Sequence, residues 1–141
     1  MFVESRDQSR QFFLALWVKL ANGEALGPLE TLVAEVIEAH PEYHRLLAEG
    51  ERALERDFGP GQPNPFLHMG LHVALIEQLQ TDRPSGIQAL YQRLVMQASG
   101  DVHGAEHRIL DCLAQVLWNA SQRGAAPDEQ DYLARVRALL G

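Results

Sequence analysis

The stretch 64-NPFLHMGLHVALIEQLQ-80 decides how the rest of the chain is read. Asn64 and Pro65 make a helix start: an N-cap residue, then a proline at the first helical position, where an N–H has no intrahelical partner in any case. Behind them Leu71, Leu75 and Leu79 recur at four-residue steps, the period of one helix face. His68 and His72 share that face, so the spacing predicts a helix over 65–80 with two imidazoles directed inward. Gly70, between them, costs about 1 kcal/mol of helix stability against alanine and predicts the close approach of another helix.

The same punctuation organises the flanking sequence. Pro28, Pro41, Pro84 and Pro127 stand where helices can begin, and Gly23, Gly50, Gly100 and Gly124 where they can stop. The first helix is expected from Ser5 to Asn22, with Phe12, Phe13, Leu16, Trp17 and Leu20 on its apolar face. The second is expected from Pro28 to Ala39, with Leu29, Leu32, Val33, Val36 and Ile37 as its stripe. A short piece in PEYHRLLAEG and a turn in ERALERDF follow, then a turn-prone loop in FGPGQPNP. Beyond the central helix, further ones are expected over Pro84–Ala98, Val102–Gln122 behind the cap residue Asp101, and Pro127–Leu140. No segment alternates with period two. The expected fold is all-α: a single-domain antiparallel helical bundle of about six to seven helices spanning residues 1–141.

Composition narrows the function classes. The chain has 141 residues, 46% of them hydrophobic and 22% charged, with a formal net charge of −7. That charge, without any basic run, argues against nucleic acid and against an anionic membrane surface as partners. No run approaches the roughly 18 apolar residues of a membrane span, and MFVESRDQSRQFF lacks the apolar core of a secretory signal. The single cysteine, Cys112, suits a reducing compartment. The expected location is the cytoplasm, and a homo-oligomer is compatible with the sequence.

All six histidines fall in H-x-x-x-H pairs: His40/His44, His68/His72 and His103/His107. Random placement over this length would give roughly 0.2 such pairs, counted by template matching. On the helix expected over 102–122, the stripe Leu110, Leu113, Leu117 extends back to Glu106 and His103, with His107 at its edge. A carboxylate on an apolar face is costly unless paired or bound to a metal. If successive helices alternate in direction, the two pairs 68/72 and 103/107 lie at one level, and the second helix ends there with His40. Neutral imidazoles with a carboxylate suit a transition metal ion such as Zn, Fe, Ni or Mn. His68, His72, His103 and His107 are the primary candidate ligands, with Glu106 a ligand or catalytic general base. His40 and His44 are weaker candidates, because Pro41 interrupts their spacing; His40 can act as a cap and His44 can lie on a solvated face. Asp111 is read as a surface or supporting carboxylate, Cys112 as inert packing, and Trp17 and Trp118 as core.

The runs EAHPEYH, NPFLHMGLH, TDRPSGI and HGAEHRILDCL together resemble a family of short proteobacterial proteins known as a domain of unknown function. The likeness covers nearly the whole chain, and NPFLHMGLH is its most specific run. That resemblance implies no activity. More loosely, the histidine-bearing bundle is similar to the metal-dependent DinB-like proteins and to hemerythrin-like di-iron bundles. It departs from the latter in lacking H-x-x-x-E on a separate helix.

The sequence thus points to a metal-binding helical bundle, with metal-assisted chemistry on a small-molecule substrate as the mechanistic expectation. The alternative is a non-catalytic structural or adaptor protein with buried histidines or a purely structural metal. No nucleophile elbow, phosphate loop or dinucleotide fingerprint is present.

Overall fold

The structure, a computed structural model, describes residues 6–58 and 64–141. Among the described residues the fold is all-α, with eight α-helices, one 3-10 turn and no strand. The helices are α1 (Arg6–Ala21), α2 (Pro28–Glu38), α3 (His44–Ala48), α4 (Glu51–Leu54), α5 (Pro65–Thr81), α6 (Ile87–Gln97), α7 (Val102–Arg123) and α8 (Glu129–Ala138). The 3-10 turn, Pro41–Tyr43, joins α2 to α3. No helix among the described residues is long and apolar enough to cross a membrane. The start of the first helix at Ser5 and most of the loop read in FGPGQPNP (59–63) lie outside the described residues.

The chain divides into two compact units, residues 1–74 and 75–141, and the division falls inside α5. In the first unit α1 packs against α2, α3 and α4. Its apolar face follows the expected period: Phe13 and Leu16 are buried, with Phe12, Trp17 and Leu20 half-buried beside them. Val33, Val36 and Ile37 carry the stripe of α2, and Leu29 at its start stays exposed. At the turn between these helices, Lys19 in the last turn of α1 reaches Glu30 in the first turn of α2 at 2.6 Å. The other Glu30 oxygen accepts the Gly27 N–H at 3.0 Å, closing the first turn of α2. Gly50 adopts φ +67° between α3 and α4, a left-handed turn that glycine enters without steric cost.

In the second unit α6, α7 and α8 pack on one another. Two expected helix starts are corrected here. Pro84 does not open α6: the Asp82 carboxylate accepts the N–H groups of Gly86 (3.2 Å) and Gln88 (3.0 Å), and the helix begins at Ile87. Pro127 likewise precedes α8, whose cap is Asp128, accepting from Gln130 and Asp131. Asp101 caps α7 as expected, accepting the Gly104 N–H at 3.0 Å, and Gly124 ends it at φ +62°. The buried stripe of α7 is Ala105, Ile109, Leu113, Val116 and Ala120, with Leu110 at its margin. It is turned by about one residue from the expected 103-106-110-113-117 row. That rotation moves Trp118 outward: it is 61% exposed rather than core.

Tyr132 on α8 is 3% exposed and donates its hydroxyl to Gln78 Oε1 at 2.7 Å. Burial foremost, with the Cys112 sulfur as a lesser cause, pushes its phenol well above the ordinary tyrosine value. In the unfolded chain the group ionises first, near ~10. The stability this tyrosine contributes is therefore fully present below that pH and is lost as pH rises toward the folded-state value. Tyr132→Phe is expected to cost about 1 kcal/mol at pH 8, one hydrogen bond's worth, and to flatten the fall in stability between pH 9 and about 11. Urea melts at the two ends of that range check both effects; an equally steep alkaline fall in the variant would assign the sensitivity elsewhere.

Candidate metal centre

The candidate centre in the first unit grows from the way α2 ends. The last carbonyls of a helix have no intrahelical partner, and Pro41 prevents α2 from continuing. Two imidazoles take up those carbonyls. His40 Nδ1 lies 2.7 Å from Val36 O, and His44 Nε2 lies 2.8 Å from Ile37 O. A carbonyl only accepts, so both ring nitrogens are donors. For neutral His40 this fixes the tautomer: Nδ1 carries the proton and Nε2 holds the lone pair, the form in which a histidine ligates through Nε2.

His40 is 1% exposed and meets the first turns of α5. Its ring centroid lies 5.0 Å from that of His68 and 4.7 Å from that of His72; His68 and His72 are 5.0 Å apart. Ligand-capable atoms of these three residues fall within 4.8 Å of one another. Two ligands on a tetrahedral ion with ~2.05 Å bonds stand about 3.3 Å apart, a spacing that modest ring rotations reach from here. The donors fit the group: three imidazoles, two of them buried, one with its tautomer set by the backbone. His72 is 4% exposed, and His68 is half-buried. The expected meeting of the end of the second helix with the start of the central one is therefore found.

A family model described as a domain of unknown function (DUF1841) matches residues 5–138. The chain belongs to that family. No curated protein and no solved structure matches it.

The remaining candidates of this DUF1841 chain are placed as follows. His44 is not part of the trio: its Nε2 serves the Ile37 carbonyl, and its ring rests 4.8 Å from that of Trp17. It is a half-buried cap rather than a solvated residue. His103 and His107 lie in the second unit, their rings 4.3 Å apart on α7. His103 is exposed, because the buried stripe of α7 runs along another face, whereas His107 is half-buried with its Nε2 shielded from solvent. Glu106 is half-buried and accepts a hydrogen bond from the Tyr91 hydroxyl; burial, then this carboxylate, raises the Tyr91 phenol above its ordinary range. Asp111 is exposed. Cys112 is half-buried, and burial raises its thiol, so it has little thiolate character.

Two tyrosines escaped the sequence reading. Tyr91 is the partner of Glu106. Tyr43 stacks on His40, with centroids 5.4 Å apart and planes within 1°, and meets His68 edge-on at 6.1 Å. In a 3-10 turn, side chains three residues apart eclipse one another. His40 caps the Pro41–Tyr43 turn, so H-P-E-Y carries the signal that could have found this stack.

Proposed function

We propose that this protein binds a transition metal ion through His40, His68 and His72. The observation that carries this reading is the convergence of three imidazoles, two from α5 and one from the junction that follows α2, two of them buried. A buried histidine trio is an expensive choice for a core that leucine would fill, and a bound ion recovers that cost as binding energy linked to folding. An ion held there supplies Lewis acidity toward a small molecule. The protein's part is to fix the ligand geometry, as Val36 O does for the ring of His40.

The second reading is that the histidines fasten the helices without catalysis. It is favoured by the capping of α2 by His40 and His44, which is useful to the fold with or without metal.

Metal analysis of untagged protein, followed by titration of the stripped protein, tests the proposal. The expected result is about one bound ion per chain; failure of every first-row divalent ion to bind with a Kd below about 1 mM, a binding energy of ~4 kcal/mol, would discard it. His68→Ala is expected to weaken binding by at least the ~10–100-fold typical of lost supporting contacts; unchanged affinity would take this donor out of the trio. A turnover screen of the metal-loaded protein separates catalysis from fastening.

A further inference from the structure

Resting on that metal reading, we propose that the centre takes a small anion as its external ligand, admitted beside Tyr43 and held by a hydrogen bond from the Tyr43 hydroxyl. The first argument is charge. Three neutral imidazoles around a divalent ion leave its two positive charges uncompensated. A net charge in a site lined by buried residues demands a counter-ion.

The second argument is the direction of access. Of the four rings gathered at this point, His40 and His72 are buried, at 1% and 4% exposure, whereas His68 and Tyr43 are half-buried. The Tyr43–His68 edge is therefore the less buried side of the cluster. On that side His68 is a ligand in this reading, and its contact with the Tyr43 ring places a phenol at the entrance.

The third argument is rigidity and size. Tyr43 is fixed by the parallel stack on His40 and by the bond from its own N–H to the His40 carbonyl at 3.0 Å. A rigid aromatic wall against two of the three imidazoles limits any external ligand to a few atoms. The chemistry fits an anion that coordinates through one atom and accepts a hydrogen bond at another, the class of azide and small carboxylates.

The test uses the full chain loaded with Co(II), whose visible spectrum reports coordination, titrated with azide. The expected result is a saturable spectral change in wild type. Tyr43→Phe should keep the ring stack and hold Co(II) affinity within about twofold. Its azide affinity should fall about 10-fold or more, the loss of a hydrogen bond to a charged group. Equal azide affinity in the two proteins, or no spectral response to azide in a wild-type protein that has taken up Co(II), overturns the inference and leaves the metal reading standing. Failure of wild type to bind Co(II) or any other divalent ion removes both.

Discussion

His72→Leu is expected to abolish the metal-linked rise in melting temperature while leaving the metal-free protein folded. The position is 4% exposed, between the buried Leu71 and Val73 on α5, so leucine of similar volume suits its surroundings. What leucine cannot do is donate a lone pair. An ion that binds only the folded state stabilises it by RT ln(1 + [L]/Kd), about 4 kcal/mol at a thousandfold excess over Kd. For a chain of this length each kcal/mol moves the midpoint by roughly 3–6 °C, so wild type should gain on the order of 10–20 °C on saturation. Differential scanning calorimetry of both proteins, chelated and then loaded, measures the difference. A variant that gains as much as wild type would show that the ion sits elsewhere, and the trio would revert to a packed polar cluster. His44→Leu is the matched control. Its loss should fall on α2 capping and not on the metal-dependent increment, because its Nε2 is committed to Ile37 O.

The contrast between His40 and His44 shows how far the sequence could be read. The i,i+4 spacing within α5 identified His68 and His72 because that helix is regular and its phase is set by leucines. For His40 and His44 the spacing was uninformative, since Pro41 places a 3-10 turn between them. One imidazole then caps with Nδ1 and presents Nε2, whereas the other caps with Nε2 itself. Which nitrogen meets a carbonyl depends on the rotation of the chain at that turn, and no periodicity encodes it. Tyr43 was invisible for the same reason.

Helix number and order were largely legible, because proline and glycine mark the breaks. The misplaced starts at Pro84 and Pro127 share a cause: a nearby aspartate, Asp82 two residues before Pro84 and Asp128 directly after Pro127, captures the free N–H groups and sets the boundary. On α7 the ambiguity is one of phase. Leu110, Leu113 and Leu117 fit one face, and Ile109, Leu113 and Val116 fit another turned by about one residue. Helical spacing weighs the two equally, and packing with α6 and α8 selects the second. His103 and Trp118 followed the wrong face in the sequence reading and are exposed in the structure.

Arg10→Met is expected to destabilise the first unit by roughly 3–5 kcal/mol, because it removes a buried cation that serves three carbonyls and two aromatic rings at once. Arg10 sits on α1 at 3% exposure, a rare position for a cation. Its Nη1 donates to the carbonyls of Ala53 (3.4 Å), Leu54 (3.1 Å) and Arg56 (2.6 Å), the end of α4 and the residues after it. Those groups carry the negative end of the helix and lack intrahelical donors. The guanidinium also faces the rings of Phe66 at 4.9 Å and Phe58 at 5.6 Å. Cation–π contact in such a desolvated place adds about 2 kcal/mol to what the carbonyls contribute. Methionine matches the aliphatic stem of the side chain and supplies no donor. Lysine keeps the charge but not the planar fork or the stacking, so Arg10→Lys should lose about half as much. Because Phe66 opens α5 two residues before His68, the loosening should reach the candidate centre. Hydrogen exchange is expected to accelerate both over 51–58 and in the first turns of α5, with metal affinity falling alongside. A loss below about 0.5 kcal/mol, the range of an ordinary surface change, would mean that water satisfies these carbonyls and that Arg10 does not tie α4 to α1.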